Sequence, residues 1–197
     1  MTQDGRLLRG ERTRTAVLDR ALLLTTVAGL DGLSLSQVAD ALGVSKSGLF
    51  AHWRSKEALQ LAVIEHARAQ WTDRVIRPAL TAPRGVRRLW AVHDTRLAFY
   101  EAEVLPGGCF FTTATVEFNA RPGVIRDRLA ADAVALGELR PDADPEGLAY
   151  ETESLGVCAV MQAPVLGRDL TFGRARRALL EHLRALATDP TIIAELT

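Results

Sequence analysis

Cysteine is scarce in this chain of 197 residues: Cys109 and Cys158 are the only two, far apart in sequence. They fit neither a zinc-ligand spacing nor the disulfide framework of a small secreted domain, so a reducing cytoplasm is the expected setting. Lysine is equally scarce, with Lys46 and Lys56 alone, and nearly all the 24 basic side chains are arginine. They are matched by 24 acidic ones, a formal net charge of 0. That balance excludes a nucleic-acid binder that works by bulk charge, and leaves only a local patch. Aromatic residues amount to 6% and strand-like alternation is rare. No apolar run approaches the roughly 20 residues of a membrane-spanning helix, so no membrane partner is expected. Arg6, Arg9, Arg12 and Arg14 precede an apolar stretch near Ala21–Leu30, loosely like a signal peptide. Asp19 and Arg20 abut that stretch, however, and Val17, Ala21, Leu24 and Ala28 recur at helical spacing, which reads as an amphipathic helix.

Catalytic signatures are missing as well. His52, His66, His93 and His182 are scattered without a zinc-binding spacing, and no nucleophile elbow, dinucleotide fingerprint or P-loop is present. No catalytic residue, metal ligand or cofactor is therefore assigned, and Cys109 reads as a structural cysteine.

What the chain has in quantity is helical periodicity, and it reads as an all-α protein. Helices are predicted over Glu11–Ala28, Leu35–Leu42, Lys46–His52, from Ser55 toward Ala79, and over Val86–Glu103. Others follow over Cys109–Phe118, Arg121–Gly137, Glu146–Leu166 and Phe172–Ala187. Ser34 with Gln37 forms a capping-box pattern, Gly43 suits a helix end, and Ser45 suits the next N-cap. The plan is a three-helix head over 1–55 and a larger helical body over 56–197.

The informative stretch is Ser34–Leu59. Two short helices meet at a glycine-containing turn, the helix-turn-helix arrangement. Leu35, Val38, Ala39 and Leu42 give the first helix one apolar face. Val44 plugs the turn, and Leu49 and Trp53 anchor the second helix at i, i+4. Ser45, Lys46, Ser47, Gly48 and Ala51 are left facing away from the head, where short side chains and a helix start suit phosphates or base edges. Residues 1–60 carry eight basic and six acidic side chains, a net of +2, which agrees weakly. The N-terminal arginines could form an arm along a DNA backbone.

The run Gly43-Val44-Ser45-Lys46-Ser47-Gly48-Leu49-Phe50-Ala51-His52-Trp53-Arg54-Ser55-Lys56-Glu57-Ala58-Leu59 closely resembles the DNA-binding domain of TetR-type (TetR/AcrR) transcriptional regulators. Gly29–Ser34 and Val38-Ala39 extend the likeness upstream, so it covers roughly residues 11–60. The resemblance implies that Ser45, Lys46, Ser47, Gly48 and Phe50 lie on the segment presented to the major groove. It implies backbone contacts from Ser34 and Ser36, and phosphate contacts from His52 and Lys56. One position departs: the family usually has tyrosine where this chain has Phe50, which removes one hydroxyl that could bond a phosphate. Trp53 replaces the usual phenylalanine.

The resemblance further implies a homodimer on a double-stranded DNA operator, and a body that holds a small-molecule effector. The helices near 146–166 and 172–187 are the expected dimer elements. Ser154, Gly156, Ala159 and Ala163 would let a partner helix approach, with Phe172, Leu179, Leu183 and Leu186 on one side of the last helix. Two stripes are the best pocket candidates: Trp90, His93, Leu97 and Tyr100, and Phe111, Ala114, Thr115 and Phe118, with Cys109, Phe110 and Glu117 nearby. The expected function is a ligand-responsive DNA-binding regulator, a repressor released by a small apolar molecule. Two alternatives are a ligand-independent DNA-binding adaptor whose body binds a protein partner, and an enzyme on a helical scaffold.

Overall fold

A computed structural model describes residues 3–111, 142–194 and 196. The architecture is helical. In chain order the elements are α1 (Gln3–Ala28), α2 (Leu35–Leu42), α3 (Lys46–His52), α4 (Lys56–Trp71), a π-helical turn (Thr72–Ile76), α5 (Arg77–Ala79), α6 (Val86–Glu101), α7 (Pro145–Leu166), α8 (Arg168–Leu186) and α9 (Thr191–Ala194). None of these helices is long and apolar enough to cross a membrane.

The largest departure from the periodicity lies at the start. Helix α1 begins at Gln3 rather than Glu11, so the backbone that carries Arg6 and Arg9 is helical and not an extended arm. From α4 the backbone stays helical to Ala79, as expected, but it passes through a π turn over Thr72–Ile76 that the periodicity does not show. Helix α8 begins at Arg168, four residues before Phe172. The predicted helix over Arg121–Gly137 lies outside the described residues, as does Cys109–Phe118 beyond residue 111.

The described residues group into two compact units, one drawn from 1–70 and 105–120 and the other from 71–104 and 121–197. The first is organised around Val17, Ala21, Leu22, Leu33, Val38, Leu49, Trp53, Leu59 and Val63. These come from all of α1–α4, so none of the four can bury its apolar stripe alone. Phe110 joins the same core from far along the chain. In the second unit Val86, Leu89 and Trp90 of α6 pack with Leu148 of α7, Leu179, Leu180 and Leu183 of α8, and Ile193 of α9. The small residues Gly156, Ala159 and Ala163, and also Phe172, Leu179 and Leu183, are buried inside this unit. These six therefore serve the chain's own packing, not the partner contact expected of them, while Ser154 and Leu186 of the same two sets are half-buried.

Candidate functional site

The first unit positions α3 by a series of local devices. Ser34 caps α2: its Oγ accepts from Gln37 N at 3.2 Å, and the Gln37 side chain accepts from Ser34 N at 2.9 Å, a complete capping box. Gly43 ends α2 in the left-handed conformation, φ +66°, where a side chain would be strained. Two carbonyls at the end of α2 are satisfied there, Asp40 O by Gly43 N and Ala39 O by Val44 N. Ser45 then caps α3, its Oγ accepting from Gly48 N at 3.2 Å. Leu49 and Trp53, four residues apart, are both buried and hold one face of α3 against the head. Val44 does not plug the turn as expected: it is 42% exposed, and Leu49 supplies the packing instead.

The opposite face of α3 is open. Lys46, Ser47, Gly48, Phe50 and His52 are all exposed, as is Ser45 before them. Ser45 is committed as a cap, and Ser47 Oγ lies 3.3 Å from Ser45 Oγ. Ser34 and Ser36 on α2 are half-buried, Ser34 engaged in its box. Lys56, expected on phosphate, is folded onto the loop after α1: its Nζ donates to the Asp31 carbonyl and lies 3.4 Å from Asp31 Oδ1. It ties the start of α4 to that loop, with Gln60 Nε2 donating to Leu30 O at 2.8 Å nearby. His52 sits beside Trp53, ring centroids 5.6 Å apart.

Two features here have no short-range signal. The guanidinium of Arg14 lies 5.2 Å from the centroid of the Trp53 ring, a cation–π contact that makes this arginine a clamp on α3's anchor. Asp19 Oδ1 accepts from Gln70 Nε2 at 2.9 Å and lies 2.7 Å from His66 Nε2, which fastens α1 to α4. Each pairs residues about 40 to 50 positions apart in sequence.

The expected pocket residues belong to both units. Trp90, His93, Leu97 and Tyr100 are buried on α6 in the second unit. Cys109 and Phe110 are buried, and Phe110 and Phe111 pack against each other and the first unit's core, ring centroids 5.3 Å apart. Ala114, Thr115, Glu117 and Phe118 lie outside the described residues.

Around His93 the second unit holds a buried polar cluster. Arg96, 5% exposed, donates from Nη1 to Glu153 Oε2 at 2.7 Å and from Nη2 to the Thr152 carbonyl and to His93 Nδ1. Because arginine can only donate, His93 Nδ1 must be the acceptor, and its Nε2–H is directed to Ala175 O at 3.3 Å. Burial pushes the His93 pKa down to about 3, helped by the charge of Arg96, so the imidazole is neutral. Gly156 of α7 lies against this guanidinium: a Cβ there would come within 2.4 Å of Arg96 Cζ. Arg176 of α8 pairs with Asp94 and, through both terminal nitrogens, with Glu101. Those bonds, the Glu101 pair first, raise its pKa further. Arg168 donates to the Tyr100 and Glu101 carbonyls. Basic side chains thus lace α6 to α7 and α8.

Helices α7 and α8 also expose apolar side chains. Tyr150, Met161, Val165, Leu166 and Leu170 are all exposed. On α7, Tyr150, Cys158, Met161 and Val165 fall near one face, opposite the buried small residues.

Residues 17–63 match the family described as bacterial regulatory proteins, tetR family, and residues 85–179 match the tetracyclin repressor-like C-terminal domain. Together these matches span well over half of the chain. No curated sequence matches the chain. Among solved structures, a TetR transcriptional regulator from Chloroflexus aurantiacus superposes with a TM-score of 0.78 at 26% identity, covering 91% of this chain and 98% of that one. The regulator CifR, solved with a 26-base-pair operator DNA, gives 0.67 at 24% identity, with 84% and 95% covered. AibR, solved with isovaleryl coenzyme A and operator DNA, gives 0.65 at 18%, with 89% and 97% covered. The last two are likenesses of fold.

Proposed function

The chain belongs to the tetR family of DNA-binding transcriptional regulators, and from that premise we propose that it is a repressor, released as a homodimer from a palindromic operator by a small apolar effector. The carrying observation is the outer face of α3: Lys46, Ser47 and Phe50 are exposed together on a helix whose other face is locked by Leu49 and Trp53. A helix held that rigidly, with its polar and apolar tips free, suits insertion into the major groove. Lys46 is the charge on that face, with His52 at the helix end. The capping bonds keep Ser34 and Ser45 at the helix starts, where they hold the reading helix in register with the backbone.

One seven-residue helix reads too little sequence to bind tightly alone, so a second head is required, and a two-fold dimer reads half-sites about 34–36 Å apart or a multiple of that. The exposed apolar side chains of α7 and α8 supply the self-complementary surface for that dimer. They replace the buried small residues in this role.

Release requires that the effector bind the DNA-incompetent state more tightly than the competent one. In the second unit Trp90, Leu97 and Tyr100 of α6 are buried beside the neutral His93, and these side chains are where we place the effector. The chain between the head's core and α6 runs through the π turn at Thr72–Ile76, an irregularity of the kind found where helices carry function. Relatives of this fold support the reading: AibR was solved with both an acyl coenzyme A and operator DNA.

The test is selection of duplexes from a random pool at a stated salt concentration. Enrichment of one palindrome is expected. Lys46→Ala should then weaken binding and reduce the salt slope by about one per head, about two for the dimer, with the dimer intact. Unchanged affinity and slope would refute the docking of α3, and no enrichment with a folded dimer would refute the DNA-binding role.

A further inference from the structure

We propose that Phe50 reads a thymine methyl group, so that the operator carries an obligatory thymine in each half-site at the position facing this ring. The inference rests on the DNA-binding reading above and deepens it by naming what one side chain recognises.

Phe50 is 49% exposed, and it is the only exposed phenylalanine among the described residues. Phe99, Phe110 and Phe172 are all buried. Its neighbours on the helix decide where it points. Leu49 and Trp53 face inward, and Lys46 and Ser47 share the outer face with Phe50 at i, i+4 and i, i+3 spacing. The ring is therefore placed among the side chains that enter the groove. It has no polar atom.

A polar-free ring in a major groove discriminates in a fixed direction. Of the four bases only thymine presents an apolar feature there, its C5 methyl. Cytosine presents an amino group, and adenine and guanine present acceptors and amino or carbonyl groups that the ring would strip of water without replacing the lost hydrogen bonds. Thymine is favoured by burial of its methyl, and the others are disfavoured by desolvation. Ser47 has its hydroxyl engaged with Ser45, and Lys46 is a point charge, suited to phosphate or guanine. Of the exposed side chains Lys46, Ser47 and Phe50, Phe50 alone is apolar and suited to a methyl group.

The experiment uses the full chain and the selected palindrome. Each thymine of the half-site is replaced in turn, on both half-sites, by deoxyuridine, which lacks only the methyl. Binding is measured for the native protein and for Phe50→Ala at low salt, where phosphate contacts keep weakened complexes measurable. At one position, deoxyuridine should weaken native binding about fourfold per half-site, the size of one buried methyl-sized group. Phe50→Ala should bind thymine and deoxyuridine equally at that position and keep any preference elsewhere. Phe50→Leu, which retains an apolar tip, should retain part of the preference. Lys46→Ala should retain all of it while losing affinity. Thermal unfolding of Phe50→Ala should match the native protein, because the ring is outside the core. Selective binding with no thymine–deoxyuridine difference at any position overturns the inference alone. So does a difference that survives Phe50→Ala. Absence of selective binding to any duplex overturns the DNA-binding reading and this inference with it.

Discussion

At the residue scale the second unit is held by charged groups placed where water is absent. Arg96 is buried with its charge, and breaking such a cluster costs more than its pairing contributes, because the remaining group keeps its desolvation penalty. Gly156 is required by this arrangement. Its Cα lies against a guanidinium that Glu153, Thr152 and His93 hold in place, so the arginine cannot yield to a methyl group without losing those bonds. Gly156→Ala should destabilise the protein by about 1–3 kcal/mol, despite the better helix propensity of alanine, read as a lowered midpoint in urea. His93 makes a second prediction. Its folded pKa, about 3, lies below the ordinary histidine value of 6.5, so below pH 6.5 the unfolded chain binds a proton that the folded one refuses. The contribution is fully present above pH 6.5 and is lost as pH falls toward 3. The loss approaches about 1.4 kcal/mol per pH unit for the single proton. His93→Gln should remove that slope, so unfolding of native and variant protein from pH 7 to pH 4 should diverge at the acid end. Parallel curves would show that His93 is not the group responsible.

At the element scale, the head depends on helix ends. Helices α2 and α3 have eight and seven residues, too short to persist without caps and packing. Ser34→Ala opens the capping box and should cost about 0.5–2 kcal/mol, measured by thermal unfolding. Ser45→Ala should cost a similar amount, and it should also weaken operator binding beyond the stability loss, because α3 itself is set by that bond. Affinity unchanged in Ser45→Ala would show that packing at Leu49 and Trp53 suffices to orient α3. Helix α4 begins with comparable local devices: Ser55 Oγ accepts from Ala58 N at 3.0 Å, and Lys56 reaches back to Asp31. Lys56 is thereby a structural clasp between α4 and the loop after α1.

At the scale of the whole molecule, half of the ten large hydrophobic side chains exposed among the described residues lie on α7 and α8. Val165, 82% exposed, is the most open of them. Val165→Glu should shift the protein from dimer to monomer in analytical ultracentrifugation and abolish selective binding to a palindrome. Folding should be unaffected, because the side chain touches no core. A dimer that survives this change would place the interface elsewhere.

What the sequence by itself determined is the part of the protein whose information lies within about four residues. The capping box at Ser34, the glycine end at Gly43, the cap at Ser45 and the Leu49–Trp53 anchor are each a local bargain between a side chain and a nearby backbone group. The bounds of α2 and α3 follow from them, and the resemblance carried by the same residues pointed to the family. The tertiary structure decided what depends on distant pairs. Arg96 looks like any surface arginine until Glu153 and Thr152, more than fifty residues away, close around it. Gly156, Ala159 and Ala163 read as a surface for a partner helix, but the folded chain uses them itself. Phe110 reads as a pocket residue; that it packs into the core built from α1–α4 is visible only in the folded chain. An apolar residue declares that it will be buried; only the arrangement of the other helices determines against what.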